Sequence, residues 1–104
     1  MIHVLVTNII KPDCLDEYLS LAHQLGPMVN KEPGCIRYIY TVDTDSPLSI
    51  QDKINKNQVT LIEEWESLNA LKEHLAKRHL KEYGKKMAPL RSSVTARVTQ
   101  SSAG

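Results

Sequence analysis

The order of the predicted elements is the strongest constraint on what this 104-residue chain can fold into. Four segments rich in β-branched or aromatic residues favour strands: IHVLVTNII, CIRYIYTV, QVTLIEEW and SSVTARVTQ. Apolar residues recur at helical spacing over residues 14–31 and again over residues 68–87. Right-handed crossovers fold this βαββαβ order into a four-stranded antiparallel sheet with both helices on one face. The sequence therefore predicts an α+β, ferredoxin-like domain over residues 1–100, with residues 101–104 as a disordered tail.

Local signals predict where the elements begin and end. Asp13 precedes the first periodic run, so we expect it to be the N-cap of that helix. Gly26 and Pro27 are expected to kink or interrupt the same helix near its end, because proline cannot donate the helical hydrogen bond. Between the second and third strands, residues 43–57 are polar and aperiodic. This pattern predicts a long loop of a kind that is often functional.

The predicted sheet leaves one apolar face uncovered. Both faces of the first strand are largely apolar, Ile2, Val4, Val6, Asn8 and Ile10 on one side and His3, Leu5, Thr7 and Ile9 on the other. Two helices can cover only one face, and an apolar face of this size must be buried by something. An identical sheet from a second copy is the simplest partner, so we expect a homodimer.

Charge and cysteine usage narrow the class of protein. The formal net charge is +1 and the basic residues form no block, which argues against nucleic acid or an anionic membrane surface as a partner. No apolar run reaches the roughly 20 residues of a membrane span, and the first ten residues do not resemble a signal peptide. Cys14 and Cys35 have no metal-like or redox-like spacing, so we expect reduced thiols in a cytoplasmic protein.

The third strand ends in residues that allow two interpretations. Trp65 is either a core or interface residue or a pocket wall that stacks on a flat substrate. Glu63 and Glu64 point to opposite faces of the strand, so one of them must lie near an apolar layer. That carboxylate is either a site group or, as we favour, part of an ion pair at the interface.

Two histidines follow in the second helical region. His74 and His79 are five residues apart, which on one continuous helix places them roughly 140° apart and excludes a helical zinc pair. A break near Lys77 would let both face one cavity, and a solvated surface role is the alternative. The chain has no nucleophile elbow, phosphate-binding glycine loop or flavin or nicotinamide fingerprint, so motifs alone do not identify a reaction.

The chain also resembles a known family. The stretch EEWESLNALKEHLAKRHLKEY resembles the signature of the antibiotic biosynthesis monooxygenase family, with matches at Glu63, Trp65, Ser67, Ala70, Leu71, His74 and His79. NKEPGCIRY is similar to a second family pattern, E-x-G-C-x-x-Y, with matches at Glu32, Gly34, Cys35 and Tyr38. The resemblance covers residues 2–98, and within the family the chain looks most like the quinol monooxygenase branch.

The resemblance implies a dimeric α+β barrel with a pocket between the sheet and the helices of each subunit. It implies oxidation of a quinol or related polycyclic phenol to the quinone with O2, without metal, flavin or haem. On the matching positions, His74 becomes the leading base and His79 its helper or a hydrogen-bond partner of the substrate. Trp65 and Tyr38 would form the apolar wall, and Asn8 would orient a substrate oxygen.

Other branches of the family provide the competing hypotheses. The haem-degrading branch has a strand-one asparagine that Asn8 matches, but it has a tryptophan at the position of His74, and its iron-ligating histidine would fall near Gly84. These departures argue against haem. A third branch contains an isomerase of a phosphorylated signalling sugar, which would need a phosphate anchor such as Lys31, Arg37 or Lys53. A non-catalytic small-molecule-binding dimer is the last alternative.

Overall fold

The computed structural model describes residues 1–102 and confirms the predicted order of elements. The strands are β1 (Ile2–Ile10), β2 (Cys35–Val42), β3 (Gln58–Trp65) and β4 (Arg91–Gln100). The helices are α1 (Leu15–Asn30), α2 (Leu68–Leu75) and α3 (Arg78–Met87), and a 3₁₀ turn at Ala88–Leu90 leads into β4. The second helical region is thus two helices rather than one.

The sheet has the order β2-β3-β1-β4, and each pair of neighbouring strands is antiparallel. The central pair sets the register of the molecule, because Ile2 lies opposite Trp65 and Asn8 lies opposite Val59. A bulge in β2 between Cys35 and Arg37 shifts its pairing with β3. The predicted ferredoxin-like α+β fold is confirmed.

The core lies between the helices and one face of the sheet. Helix α1 buries one stripe at helical spacing, Tyr18, Ala22, Leu25 and Val29. Strand β3 buries alternate residues on its helix side, Val59, Leu61, Glu63 and Trp65, as its period of two predicts. A carboxylate is therefore part of an otherwise apolar layer.

The N-cap predicted at Asp13 and the interruption predicted at Pro27 are not found in α1. Asp13 has a φ of 65° and lies outside the helix, which begins at Leu15 with no side-chain cap. A turn that closes with the Cys14 N–H donating to the Lys11 carbonyl places the aspartate there. Pro27 does not interrupt α1, which continues to Asn30. The proline lies on the exposed side of the helix, where water can satisfy the carbonyl that lacks its usual donor.

The other face of the sheet carries an apolar row across three strands. Leu5 of β1 lies opposite Ile62 of β3, which lies opposite Ile39 of β2. Their side chains are 47%, 36% and 46% exposed, respectively, in the single chain. Strand β4 is also exposed from Ser92 onward. This row belongs to the face that the sequence predicts to be covered by a second copy, and the dimer stays a prediction.

Residues 43–57 form the predicted long connection between β2 and β3. The segment has no regular helix or strand, and its ends are held together by a hydrogen bond from the Asn55 N–H to the Asp43 carboxylate. Leu48 and Ile50 of this loop are exposed. Its functional role stays a prediction.

The chain ends lie beside each other along β1 and β4. The Ser101 N–H donates to the Met1 carbonyl, and the His3 ring hydrogen-bonds the Ser101 hydroxyl. The predicted disordered tail, 101–104, includes two residues, 103 and 104, that lie outside the described part of the chain. Across residues 1–102, none of the helices has both the length and the apolar character needed to cross a membrane.

Candidate active site

A cavity of about 240 Å³ lies between the sheet and the helices. Its lining is largely apolar, with leucines from α1, β3, α2 and α3 and a methionine from the end of α3. Several polar residues also border it, among them Asn8, Tyr38, Tyr40, Glu63, His74 and Arg91. An apolar cavity with a few convergent polar groups is the usual form of a small-molecule site.

The break between α2 and α3 brings the two histidines together, which is the arrangement that the sequence offered beside a solvated surface role. Lys77 is extended, with a φ of −66° and a ψ of 141°, so α3 starts in a new direction. His74 Nδ1 lies 3.0 Å from Glu32 Oε1, and His79 Nε2 lies 2.6 Å from Glu32 Oε2. The two rings therefore converge on one carboxylate. Only His74 borders the cavity, so the expectation that His79 also faces it is wrong in this structure.

Glu32 is held in place by a tight turn between α1 and β2. Gly34 in this turn has a φ of +80°, and a Cβ atom there would lie 2.6 Å from the Ala70 side chain of α2. The Glu66 N–H donates to the Gly34 carbonyl and closes the contact. Only glycine permits this conformation and approach, which places Glu32 against His74. The family pattern in the sequence includes Glu32 but assigns it no role.

His74 is suited to accept a proton. Its side chain is only 2% exposed, and burial lowers its pKa from the ordinary 6.5, against the opposing effect of the Glu32 charge. The imidazole is therefore neutral near pH 7, with Nδ1–H donating to the Glu32 carboxylate. Its Nε2 makes no hydrogen bond to another residue in 1–102, so this nitrogen is left as the acceptor of a side chain that borders the cavity.

Trp65 packs against His74 and Glu63 and is not part of the cavity lining. The prediction that it forms the cavity wall is therefore corrected. The side chain is fully buried and does not border the cavity. Its ring lies 4.6 Å from the His74 ring, at 32° to it, and its Nε1–H donates to Glu63 Oε1 at 2.9 Å. Trp65 thus fixes one side of the histidine and one oxygen of the glutamate at the same time.

Glu63 lies among the residues that line the cavity, although the sequence favoured an ion pair at the interface. Its carboxyl borders the cavity, and burial raises its pKa to about 7, with a smaller contribution from the Glu32 charge. The Trp65 hydrogen bond acts in the opposite direction. The ion pair expected on this strand instead involves Glu64, which lies 3.3 Å from Arg37 on the other face of the sheet. The alternation of Glu63 with the apolar residues Val59 and Leu61 is the sequence signal that could have placed Glu63 on the buried face.

Tyrosines from β2 and polar groups from β1 and β4 complete the wall. The Tyr38 and Tyr40 hydroxyls are 3.0 Å apart, and burial raises the pKa of both well above the ordinary 10, so both are neutral. Asn8 borders the cavity as expected, but its Nδ2 donates to the Val59 carbonyl. Arg91 Nη1 lies 3.5 Å from Asn8 Oδ1 and brings a positive charge to the cavity.

The phosphate anchors suggested from the sequence do not approach this cavity. Lys31, Arg37 and Lys53 are absent from its wall, and Arg37 is paired with Glu64 on the opposite face. Arg91 is the cationic side chain that borders it within residues 1–102. In the same part of the chain, no three His, Cys, Asp or Glu side chains are arranged to hold a metal ion.

Known proteins resemble this chain in sequence and in fold. A family profile described as "Antibiotic biosynthesis monooxygenase" matches residues 1–86. The "Probable quinol monooxygenase YgiN" of Escherichia coli (strain K12) is 35% identical over 69 residues, which are 66% of this chain and only 62% of that protein's length. A crystal structure described as an antibiotic biosynthesis monooxygenase superposes with a TM-score of 0.82 at 25% identity, covering 99% of this chain and 100% of the other. A conserved protein from Methanosarcina mazei Go1 superposes with a TM-score of 0.85 at 24% identity, covering 97% and 92%.

Proposed function

Because the chain belongs to the antibiotic biosynthesis monooxygenase family, we propose that it is a cofactor-independent monooxygenase that oxidises a quinol or related phenol with O2. The family and the E. coli relative support a monooxygenase-type function. The observation that carries the proposal is His74, a buried neutral imidazole that borders a largely apolar cavity. Such a group can remove a proton from a phenolic hydroxyl in a water-poor site.

Deprotonation is the step that this chemistry requires of the protein. His74 Nε2 takes the proton from a substrate hydroxyl, and the resulting phenolate is electron-rich enough to give one electron to O2. Combination of the two radicals at a ring carbon gives a peroxide, which takes the proton back from His74. Loss of water from the resulting hydroperoxide leaves one oxygen atom in the product. The overall change is quinol plus O2 to hydroxylated quinone plus water, which balances atoms and electrons. The apolar walls keep bulk water from the intermediates.

The size and charge of the cavity indicate the substrate class. Its volume of about 240 Å³ is below the roughly 300–1,000 Å³ of sites for drug-sized ligands, which favours one or two rings over a larger polycycle. Arg91 at the wall favours the deprotonated substrate because a nearby positive charge stabilises a phenolate. We assign substrate contacts to Asn8 and Tyr38, which both border the cavity, whereas Trp65 acts from behind it.

The proposed enzyme is a homodimer in which two sheets form an α+β barrel. The exposed row of Leu5, Ile62 and Ile39 supports this assembly, because large apolar side chains in direct register gain most by burial against a similar surface. A permanent interface of this kind buries on the order of 1,600 Å² or more. We also place the protein in the cytoplasm, where the free thiols Cys14 and Cys35 stay reduced.

The proposal is tested by O2 uptake with one-ring and two-ring quinols after dialysis against a chelator. Uptake should persist in metal-free buffer, and ¹⁸O2 should introduce one labelled atom into the product. Restoration of a lost activity by iron or copper would contradict the cofactor-free mechanism. Binding of the quinols without O2 uptake would instead identify a binding module. Turnover of a phosphorylated sugar without O2 would identify an isomerase.

His74→Ala tests the base within this assay. Loss of a positioned general base typically lowers the rate about 10²- to 10⁴-fold, so kcat should fall by that amount while KM changes little. His23→Ala is the matched control, because His23 is exposed on α1 and does not border the cavity. Full turnover by the His74 variant would refute the assignment.

A further inference from the structure

The Glu32 carboxylate joins both histidines, yet the reaction proposed above assigns it no step. We propose that Glu32 is a positioning residue that fixes His74 in the tautomer with a free Nε2 and balances the charge of the imidazolium formed there. Its catalytic consequence rests on the proposed function. The tautomer itself can be tested without any substrate.

The hydrogen bonds of Glu32 leave each histidine one arrangement. His74 Nδ1 lies 3.0 Å from Oε1 and 3.1 Å from Oε2, and His79 Nε2 lies 2.6 Å from Oε2. An ionised carboxylate can only accept hydrogen bonds, so both rings must present an N–H to it. His74 therefore carries its proton on Nδ1, and Nε2 is left to accept the substrate proton.

Both partners of the hydrogen bond between Glu32 and His74 are buried, which makes the wrong tautomer costly. The side chains of Glu32 and His74 are 5% and 2% exposed, so water cannot readily replace either partner. With the other tautomer, the Nδ1 lone pair would face a buried negative charge, and the unsatisfied contact would be costly. The same carboxylate stabilises the imidazolium once His74 has taken the proton, as in other carboxylate–histidine pairs.

The surrounding charges show why Glu32 matters for the strength of the base. Burial lowers the pKa of His74, and the electrostatic effects of His79 and Lys77 act in the same direction. Glu32 opposes them through its charge and its hydrogen bond. The Tyr38 ring, from β2, packs edge-on against the histidine and is neutral. Removing Glu32 should therefore weaken the base as well as free its tautomer.

His79 acts through Glu32 rather than on the substrate. Its side chain is 28% exposed and does not border the cavity, and its Nε2–H holds the Oε2 end of the carboxylate. It is thus the second donor that keeps Glu32 oriented toward His74. This assignment replaces the sequence-based role of a direct hydrogen-bond partner for the substrate.

Ring ¹⁵N NMR of the histidines tests the tautomer in the absence of substrate. The wild type should show His74 protonated on Nδ1 alone at pH 8. Glu32→Met, which removes both acceptors at similar volume, should show a mixture of tautomers. Glu32→Gln leaves one acceptor oxygen where the carboxylate has two. At least one of His74 and His79 should therefore change its ring ¹⁵N signals. Glu73→Gln is the matched control, because Glu73 precedes His74 in the chain but is exposed.

Steady-state kinetics on the same variants test the catalytic consequence. Removal of a residue that orients a metal-ligating histidine typically costs about tenfold to a hundredfold in activity. We expect a loss of similar size in kcat here, with little change in KM. Glu32→Asp should recover part of it. An unchanged His74 tautomer in both Glu32→Met and Glu32→Gln would overturn the proposal, as would a lost tautomer with unaltered kcat. A lost tautomer in a protein that oxidises no quinol would support the positioning role and refute the proposed function.

Discussion

Replacing Glu63 by glutamine should stabilise the protein at pH 8 and remove a pH dependence of its unfolding. Burial raises the pKa of this carboxyl from 4.5 to about 7. A group whose pKa is raised on folding binds its proton more tightly in the folded state. The cost of ionising the buried carboxylate is therefore fully present above pH 7 and disappears as the pH falls toward 4.5. At 1.36 kcal/mol per pH unit, the cost is about 3 kcal/mol.

Glutamine isolates this effect because it preserves the shape and the hydrogen bond. Its amide oxygen can still accept the Trp65 Nε1–H that now bonds Glu63 Oε1. The free energy of unfolding of Glu63→Gln, minus that of the wild type, should be about 3 kcal/mol more positive at pH 8 than at pH 4.5. Titrating groups that do not interact with Glu63 cancel in this difference.

Urea unfolding over that pH range measures the difference directly. The protein concentration must be held fixed, because dimerisation would add to the apparent stability. Glu64→Gln is the matched control for removing one carboxylate from the same strand, since Glu64 lies on the opposite face and is paired with Arg37. A difference that stays constant across the pH range would refute the reasoning, because it would mean that ionised Glu63 is not desolvated.

Four further outcomes are expected. Trp65→Ala should lower the free energy of unfolding by about 3–5 kcal/mol in urea titrations, as is typical of a buried aromatic, and an unchanged value would contradict its burial. Gly34→Ala should lower Tm, because the added Cβ would lie 2.6 Å from the Ala70 side chain at a φ of +80°; an equal Tm would show that the turn adapts. Ile62→Glu should give a monomer in sedimentation, whereas a monomeric wild type would remove the dimer altogether. Quinol oxidation should persist below pH 6.5, since burial lowers the pKa of His74, and a rate that is already lost there would contradict a neutral base.

Periodicity accounts for the parts of the fold that the sequence predicts. Alternate residues of β3 are buried because side chains on a strand point to opposite faces, and the stripe of α1 follows from 3.6 residues per turn. Asp13 does not cap α1 because it takes part in the turn that precedes the helix. Pro27 does not interrupt α1 because it lies on the exposed side of the helix, where water can bond the carbonyl that lacks a donor. Both outcomes are decided by contacts that a short window of sequence does not contain.

The site depends more on contacts between distant parts of the chain. The break near Lys77 could be anticipated from the spacing of the histidines, but the meeting of His74 with Glu32 joins residues 42 apart. Nothing in the local pattern of Glu32 distinguishes it from a solvated glutamate. The position of Trp65 behind the cavity likewise depends on side-chain packing rather than on strand alternation, which places it only on the correct face.

The interruption between α2 and α3 limits how this protein can evolve toward greater stability. A continuous helix through residues 76–77 would gain backbone hydrogen bonds, yet it would set His74 and His79 roughly 140° apart, so that only one could reach Glu32. Inserting or deleting one residue at this junction would move the start of α3, and with it the position of His79 relative to Glu32. Selection for a more stable helix and selection for two histidines at Glu32 therefore oppose each other at residues 76–77. Length variation among descendants of this chain should accumulate in the 43–57 loop and avoid this junction.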